Sequence, residues 1–151
     1  MLRRTNGKVG DIRPHNVFLN SEGEAKISSV LSWPREHTNF SKAMDNEPTY
    51  LAPEDMERLE MGRLEDSANF HSEVFSIGLS VLGAGMLQDF LGLYNTRNYR
   101  FDNKEFDSWL EDWRSNTVYS EVFTALISNL CQLRPEKRLD EKQLWDWNSK
   151  F

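Results

Sequence analysis

Residues 10–30 read GDIRPHNVFLNSEGEAKISSV, and the fold turns on how they are read. Two short β-leaning runs, NVFLN and AKISSV, flank a polar turn. Within it, Gly23 can take the left-handed backbone that a tight hairpin demands. The stretch therefore predicts a short β-hairpin near the start of the chain. Just before it, Asp11, Arg13 and Asn16 gather a carboxylate, a guanidinium and an amide in one loop. Such a trio suits a chemically active loop, but Asp and Asn also tie turn backbones together where no chemistry occurs.

Working outward, residues 31–50 are polar and broken by Pro34 and Pro48, which predicts a long loop. APEDMERLEMGR then opens a helix, with Pro53 in the first turn and Glu54 and Asp55 at its positive end. Ser72 and Glu73 precede the apolar run VFSIGLSVLGAGML, residues 74–87. Ser72 or a nearby acid caps this helix, and apolar residues on nearly every side make it central. NKEFDSWLEDW, SEVFTALISNLCQL and LDEKQLWDW carry apolar residues three and four apart, the spacing of helices packed on one face. The expected fold is mainly α within the α+β class: a short N-terminal hairpin, then a helical bundle around the central apolar helix. Trp109, Trp113, Trp145 and Trp147 are expected in its core.

A length of 151 residues suits one domain, taken as 1–151. The formal charge of −6 argues against a nucleic-acid partner, whose phosphates call for a basic surface. The most apolar run falls short of the roughly 20 residues that span a bilayer, so no membrane span is expected. No secretory leader is visible after MLRRTNGKVG. Cys131 is the single cysteine and has no internal partner, which favours a reducing, cytoplasmic setting. His15, His37 and His71 stand in no metal-ligand spacing.

Four blocks in order resemble the protein kinase family. GDIRPHN, residues 10–16, resembles the catalytic loop. YLAPED, residues 50–55, is similar to the Ala-Pro-Glu end of the activation segment, which would cover residues 31–54. SEVFSIG resembles the start of the long central helix of the C-terminal lobe. LRPEKRL resembles the segment whose arginine, here Arg138, pairs with the Ala-Pro-Glu glutamate, here Glu54. The resemblance implies a kinase-like C-lobe. Asp11 would orient the attacking hydroxyl, and Arg13 would screen the phosphoryl group where the family has lysine. Asn16 would hold magnesium, and Glu54, Arg138 and Glu73 would be structural. Glu73 stands where the family has a shorter aspartate.

Departures cut against phosphoryl transfer. Ser29 falls where the family's metal-binding aspartate belongs, and a neutral hydroxyl is a poor magnesium ligand. Glu47 replaces the threonine before YLAPE, bringing a second negative charge toward Asp11. Ten residues precede Asp11, with no glycine-rich phosphate loop, no strand lysine and no adenine hinge among them. The helix that the family packs beside its central helix is also missing, which calls for either the N-terminal segment folding back or a protein partner to cover the exposed side. The sequence therefore points to a catalytically inactive, pseudokinase-like C-lobe that serves as a binding or scaffold subunit and needs no cofactor. The alternative is a fragment of an active serine/threonine kinase using magnesium-ATP, its N-lobe absent from this chain. Ser32, Thr38, Ser41 and Thr49 offer hydroxyls along the activation-segment-like loop.

Overall fold

A computed structural model describes residues 12–27, 49–61, 69–95 and 97–148. These residues are mostly helical, with little sheet, compatible with the α+β class. After a 3₁₀ turn at Pro14–Asn16, strands β1 (Val17–Leu19) and β2 (Ala25–Ile27) pair antiparallel, Val17 opposite Ile27. The turn between them is built by Asn20, whose Oδ1 accepts from the amides of Glu22 and Glu24 at 3.0 and 2.8 Å. Gly23 has φ +82°, a conformation in which a Cβ would be strained.

Helix α1 (Pro53–Glu60) begins as its sequence dictates, with Pro53 in the first turn and two carboxylates at the positive end. Helix α2 (Phe70–Met86) starts earlier than the serine cap predicts. Asn69 is the cap, its Oδ1 accepting from the Ser72 amide at 2.9 Å, and the Ser72 hydroxyl oxygen accepts in return from the Asn69 amide at 3.1 Å. Ser72 thus sits inside the helix as one half of a capping box.

Two-residue strands β3 (Tyr94–Asn95) and β4 (Arg100–Phe101) form a second hairpin. Runs so short leave no alternating pattern to read, and the segment lies in the part of the chain expected to be nearly all helix. Helices α3 (Asn103–Ser115), α4 (Glu121–Leu130) and α5 (Glu141–Asn148) follow. Asp102 caps α3 and Ser120 caps α4.

The core gathers around α2. Its Val74, Phe75, Leu79 and Leu82 are buried against Met56 and Leu59 of α1, Phe106, Leu110 and Trp113 of α3, and Ile127 and Leu130 of α4. Phe75, Phe101 and Phe106 form a three-ring cluster with centroids 5.3–5.8 Å apart, an aromatic geometry that adds to area burial. Trp113 is fully buried and Trp109 and Trp147 pack against the core, but Trp145 is 64% exposed. Leu144 and Trp147 define the inner stripe of α5, and Trp145 falls off it. No helix among the described residues is long and apolar enough to cross a membrane.

Candidate functional site

The loop entering β1 is folded inward. Ile12, Arg13 and Asn16 are all buried, and the Asn16 amide donates to the Arg13 carbonyl at 3.0 Å. This turn packs against α2. Arg13 and Asn16 both take part in interactions within the fold. Asp11 and Ser29 lie outside the described residues, as do Glu47 and the loop 31–48 with Ser32, His37, Thr38 and Ser41. Arg13 and Asn16 are thus brought to one buried turn. Glu73 lies in the first turn of α2, among the interacting residues of the fold.

Thr49 to Ala52 form a buried extended segment leading into α1. Side chains from elsewhere satisfy its carbonyls. The Ser76 hydroxyl donates to the Tyr50 carbonyl at 2.7 Å, and the Tyr94 hydroxyl to the Leu51 carbonyl at 2.7 Å. Backbone polar groups removed from water need such partners, and these two bonds fix the segment on α2 and β3. Burial raises the Tyr50 phenol above its ordinary pKa; the charge of Asp89 adds to the rise and Arg13 opposes it. The phenol therefore lies within the electrostatic reach of the 12–16 turn.

The structure brings Glu54 and Arg138 together across 84 residues of sequence. The guanidinium clasps the carboxylate at both nitrogens, Nη1 to Oε1 at 2.6 Å and Nη2 to Oε2 at 2.8 Å. Its remaining donors reach three carbonyls: Nε to Gln132 at 2.6 Å, Nη1 to His71 at 2.9 Å and Nη2 to Leu133 at 3.1 Å. All five N–H groups of the fork are used. The guanidinium carbon also lies 4.8 Å from the centre of the Phe75 ring. Arg138 is only 3% exposed, so its charge depends on this complete shell. One side chain thereby ties together α1, the start of α2 and the segment after α4.

Next to this pair, Asp55 is a site residue that the sequence did not single out. Its carboxylate accepts from Arg58 at 2.8 Å, a pairing that the i, i+3 spacing could have signalled. Burial, and then the charge of Glu54, push its pKa up to about 6, while Arg58, Ser72 and Arg138 pull the other way. Cys131 is fully buried, and burial pushes its thiol far above the ordinary value, so it is a packing group and a poor nucleophile. His15 is exposed on the 3₁₀ turn, and His71 contributes its carbonyl to Arg138. No group of three or more His, Cys, Asp or Glu among the described residues could hold a metal ion. What this region does chemically is immobilise: it fixes the 49–55 segment over the central helix.

The chain matches no protein-family model. A stretch of 75 residues, 48% of this chain, is 40% identical to the dual specificity mitogen-activated protein kinase kinase 1 of Dictyostelium discoideum. The match covers 10% of that protein's length. This partial likeness supports a relationship to protein kinases.

Proposed function

We propose that this chain is a protein-kinase-like C-lobe that binds protein partners and does not transfer phosphate. The observation that carries the proposal is a neutral side chain, Ser29, at the position the kinase resemblance assigns to a magnesium-binding carboxylate. Magnesium sites lean on one or two carboxylates, and phosphoryl transfer leans on the metal. The Glu54–Arg138 clasp supports the kinase-like part of the reading, because it anchors the segment that follows the activation-segment-like loop. In this role the chain needs no cofactor. The partner is a protein and not a nucleic acid, in keeping with the charge of −6, and the setting is a reducing one.

Magnesium-dependent ATP binding, titrated on the full-length product of the transcript, tests the reading. The expected result is no gain in ATP affinity on adding magnesium, and a gain on Ser29→Asp. Tight magnesium-ATP binding by the unchanged protein overturns it. A second reading, part of an active kinase, is favoured by the retained Asp11, Arg13 and Asn16 spacing and by the partial likeness to a dual specificity kinase. In that reading Asp11 orients the substrate hydroxyl and Asn16 contributes to holding magnesium-ATP. Transfer of phosphate from ATP to a protein hydroxyl would establish it.

A further inference from the structure

The end of α3, one face of α4 and the connector between them line an open cavity of about 620 Å³. That volume lies within the range of small-ligand sites, roughly 300–1,000 Å³. Its framework is braced. Tyr119 stacks on the buried Trp113 with centroids 4.5 Å apart, and its hydroxyl donates to the Gly85 carbonyl at 2.9 Å. Asn116 Oδ1 accepts from the Val118 amide at 2.8 Å, closing the connector on itself.

The walls are more apolar than polar in area, and their polar side chains carry both signs of charge: the solvent-exposed Arg114 and Glu121, with Thr117, Thr124, Ser128 and Asn129 among their neighbours. Arg114 Nε donates to the Ser128 hydroxyl at 3.3 Å, which steadies the guanidinium and leaves its two terminal nitrogens for other acceptors. Asn129 spends its amide nitrogen on the Ala125 carbonyl at 2.8 Å and keeps its carbonyl oxygen. Among the described residues the ion pairs are Arg58–Asp55 and Arg138–Glu54; Arg114 and Glu121 form none, with each other or elsewhere. A guanidinium and a carboxylate that share a cavity without neutralising each other select by charge. A simple anion meets Glu121 and a simple cation meets Arg114, whereas a molecule with both charges satisfies both.

We propose that this cavity binds a small zwitterion, its carboxylate held by the Arg114 fork and its ammonium group by Glu121. A guanidinium matches a carboxylate in shape as well as charge. The hydroxyls of Thr117 and Thr124 and the Asn129 carbonyl oxygen are further partners for the ligand's polar atoms. The proposal is independent of whether the chain transfers phosphate.

Calorimetric titration of the full-length chain tests it with two zwitterions, 4-aminobutanoate and 6-aminohexanoate, against hexanoate and hexylammonium. At least one zwitterion is expected to bind about tenfold or more tightly than either singly charged control. Arg114→Gln and Glu121→Gln should each weaken it by about tenfold or more. In the unchanged protein, the bound zwitterion should also slow phenylglyoxal modification of Arg114, read by mass spectrometry; this measurement decides if a variant fails to fold. The proposal is overturned if neither zwitterion binds or the singly charged controls bind equally well. Binding that ignores both substitutions, or that leaves Arg114 unprotected, overturns it too.

Discussion

Arg138 holds a full positive charge where water does not reach, and only complete pairing makes that tolerable. Removing one member of a buried ion pair typically costs about 3–5 kcal/mol, because the other charge is left uncompensated. Glu54→Gln is therefore expected to lower unfolding free energy by about 3 kcal/mol in urea titrations. Arg138→Lys should cost as much, since an ammonium group cannot span the carboxylate and three carbonyls at once. A Lys variant as stable as the parent would show that charge alone matters here. Asp55, one residue on, titrates in the opposite sense from an ordinary paired carboxylate. Its folded pKa of about 6 lies above the ordinary 3.8, so the folded state holds the proton more tightly than the unfolded chain. The resulting stability is fully present below about pH 4 and is lost as pH rises through 6, up to about 3 kcal/mol. Asp55→Asn removes that titration. The stability gap between parent and variant should drift across pH 4–7, the parent losing ground as pH rises. A gap constant across that range would refute the assignment.

Helix α2 sits close to its neighbours because some positions facing them lack a side chain. A Cβ on Gly78 would lie 2.7 Å from Cys131 Sγ and 2.7 Å from Leu130 Cβ, so α4 and the turn after it would have to move outward. Alanine is the better helix former by about 1 kcal/mol, yet overpacking a well-filled core costs about 1–3 kcal/mol. Gly78→Ala is accordingly expected to destabilise the protein overall, seen as a lower melting temperature. An unchanged or raised melting temperature would mean that α4 yields easily. At its end, α2 stops on Leu87, with φ +53° and the side chain in solvent, a place where glycine or asparagine is usual. Nothing in the structure explains that choice.

At the scale of the molecule, apolar surface among the described residues is unevenly covered. Phe18 and Leu19 are consecutive in β1 and so point to opposite faces of the hairpin, yet they are 59% and 72% exposed. A two-stranded ribbon is marginal on its own, and here Val17 and Ile27 are only half-buried beneath it. Under the proposed binding role, this apolar surface would be a place for a protein partner to make contact. Replacing Phe18 and Leu19 with serine and threonine should reduce binding of a hydrophobic dye and any concentration-dependent sedimentation, with little change in stability. A parent chain that is already dye-silent and monomeric at all concentrations would remove the need for a covering partner.

The sequence by itself determined the local elements. Asn20 and Gly23 write the hairpin turn, Pro53 and its carboxylates open α1, and the apolar run at 74–87 makes α2 the centre. These features are legible because propensity, capping and periodicity act over a few neighbouring residues. The second hairpin escaped because two-residue strands carry no period, and Trp145 misled because size alone does not say which side of a helix meets the core. Asp11 and Ser29, which decide the reading of the catalytic loop, lie outside the described residues, so that reading stays with the sequence. Only the tertiary structure decided what surrounds the charged groups. The carbonyls of His71, Gln132 and Leu133 that complete the Arg138 shell have no sequence signature, since every residue carries one. The raised pKa of Asp55 likewise depends on burial, which arises only when segments remote in sequence pack together.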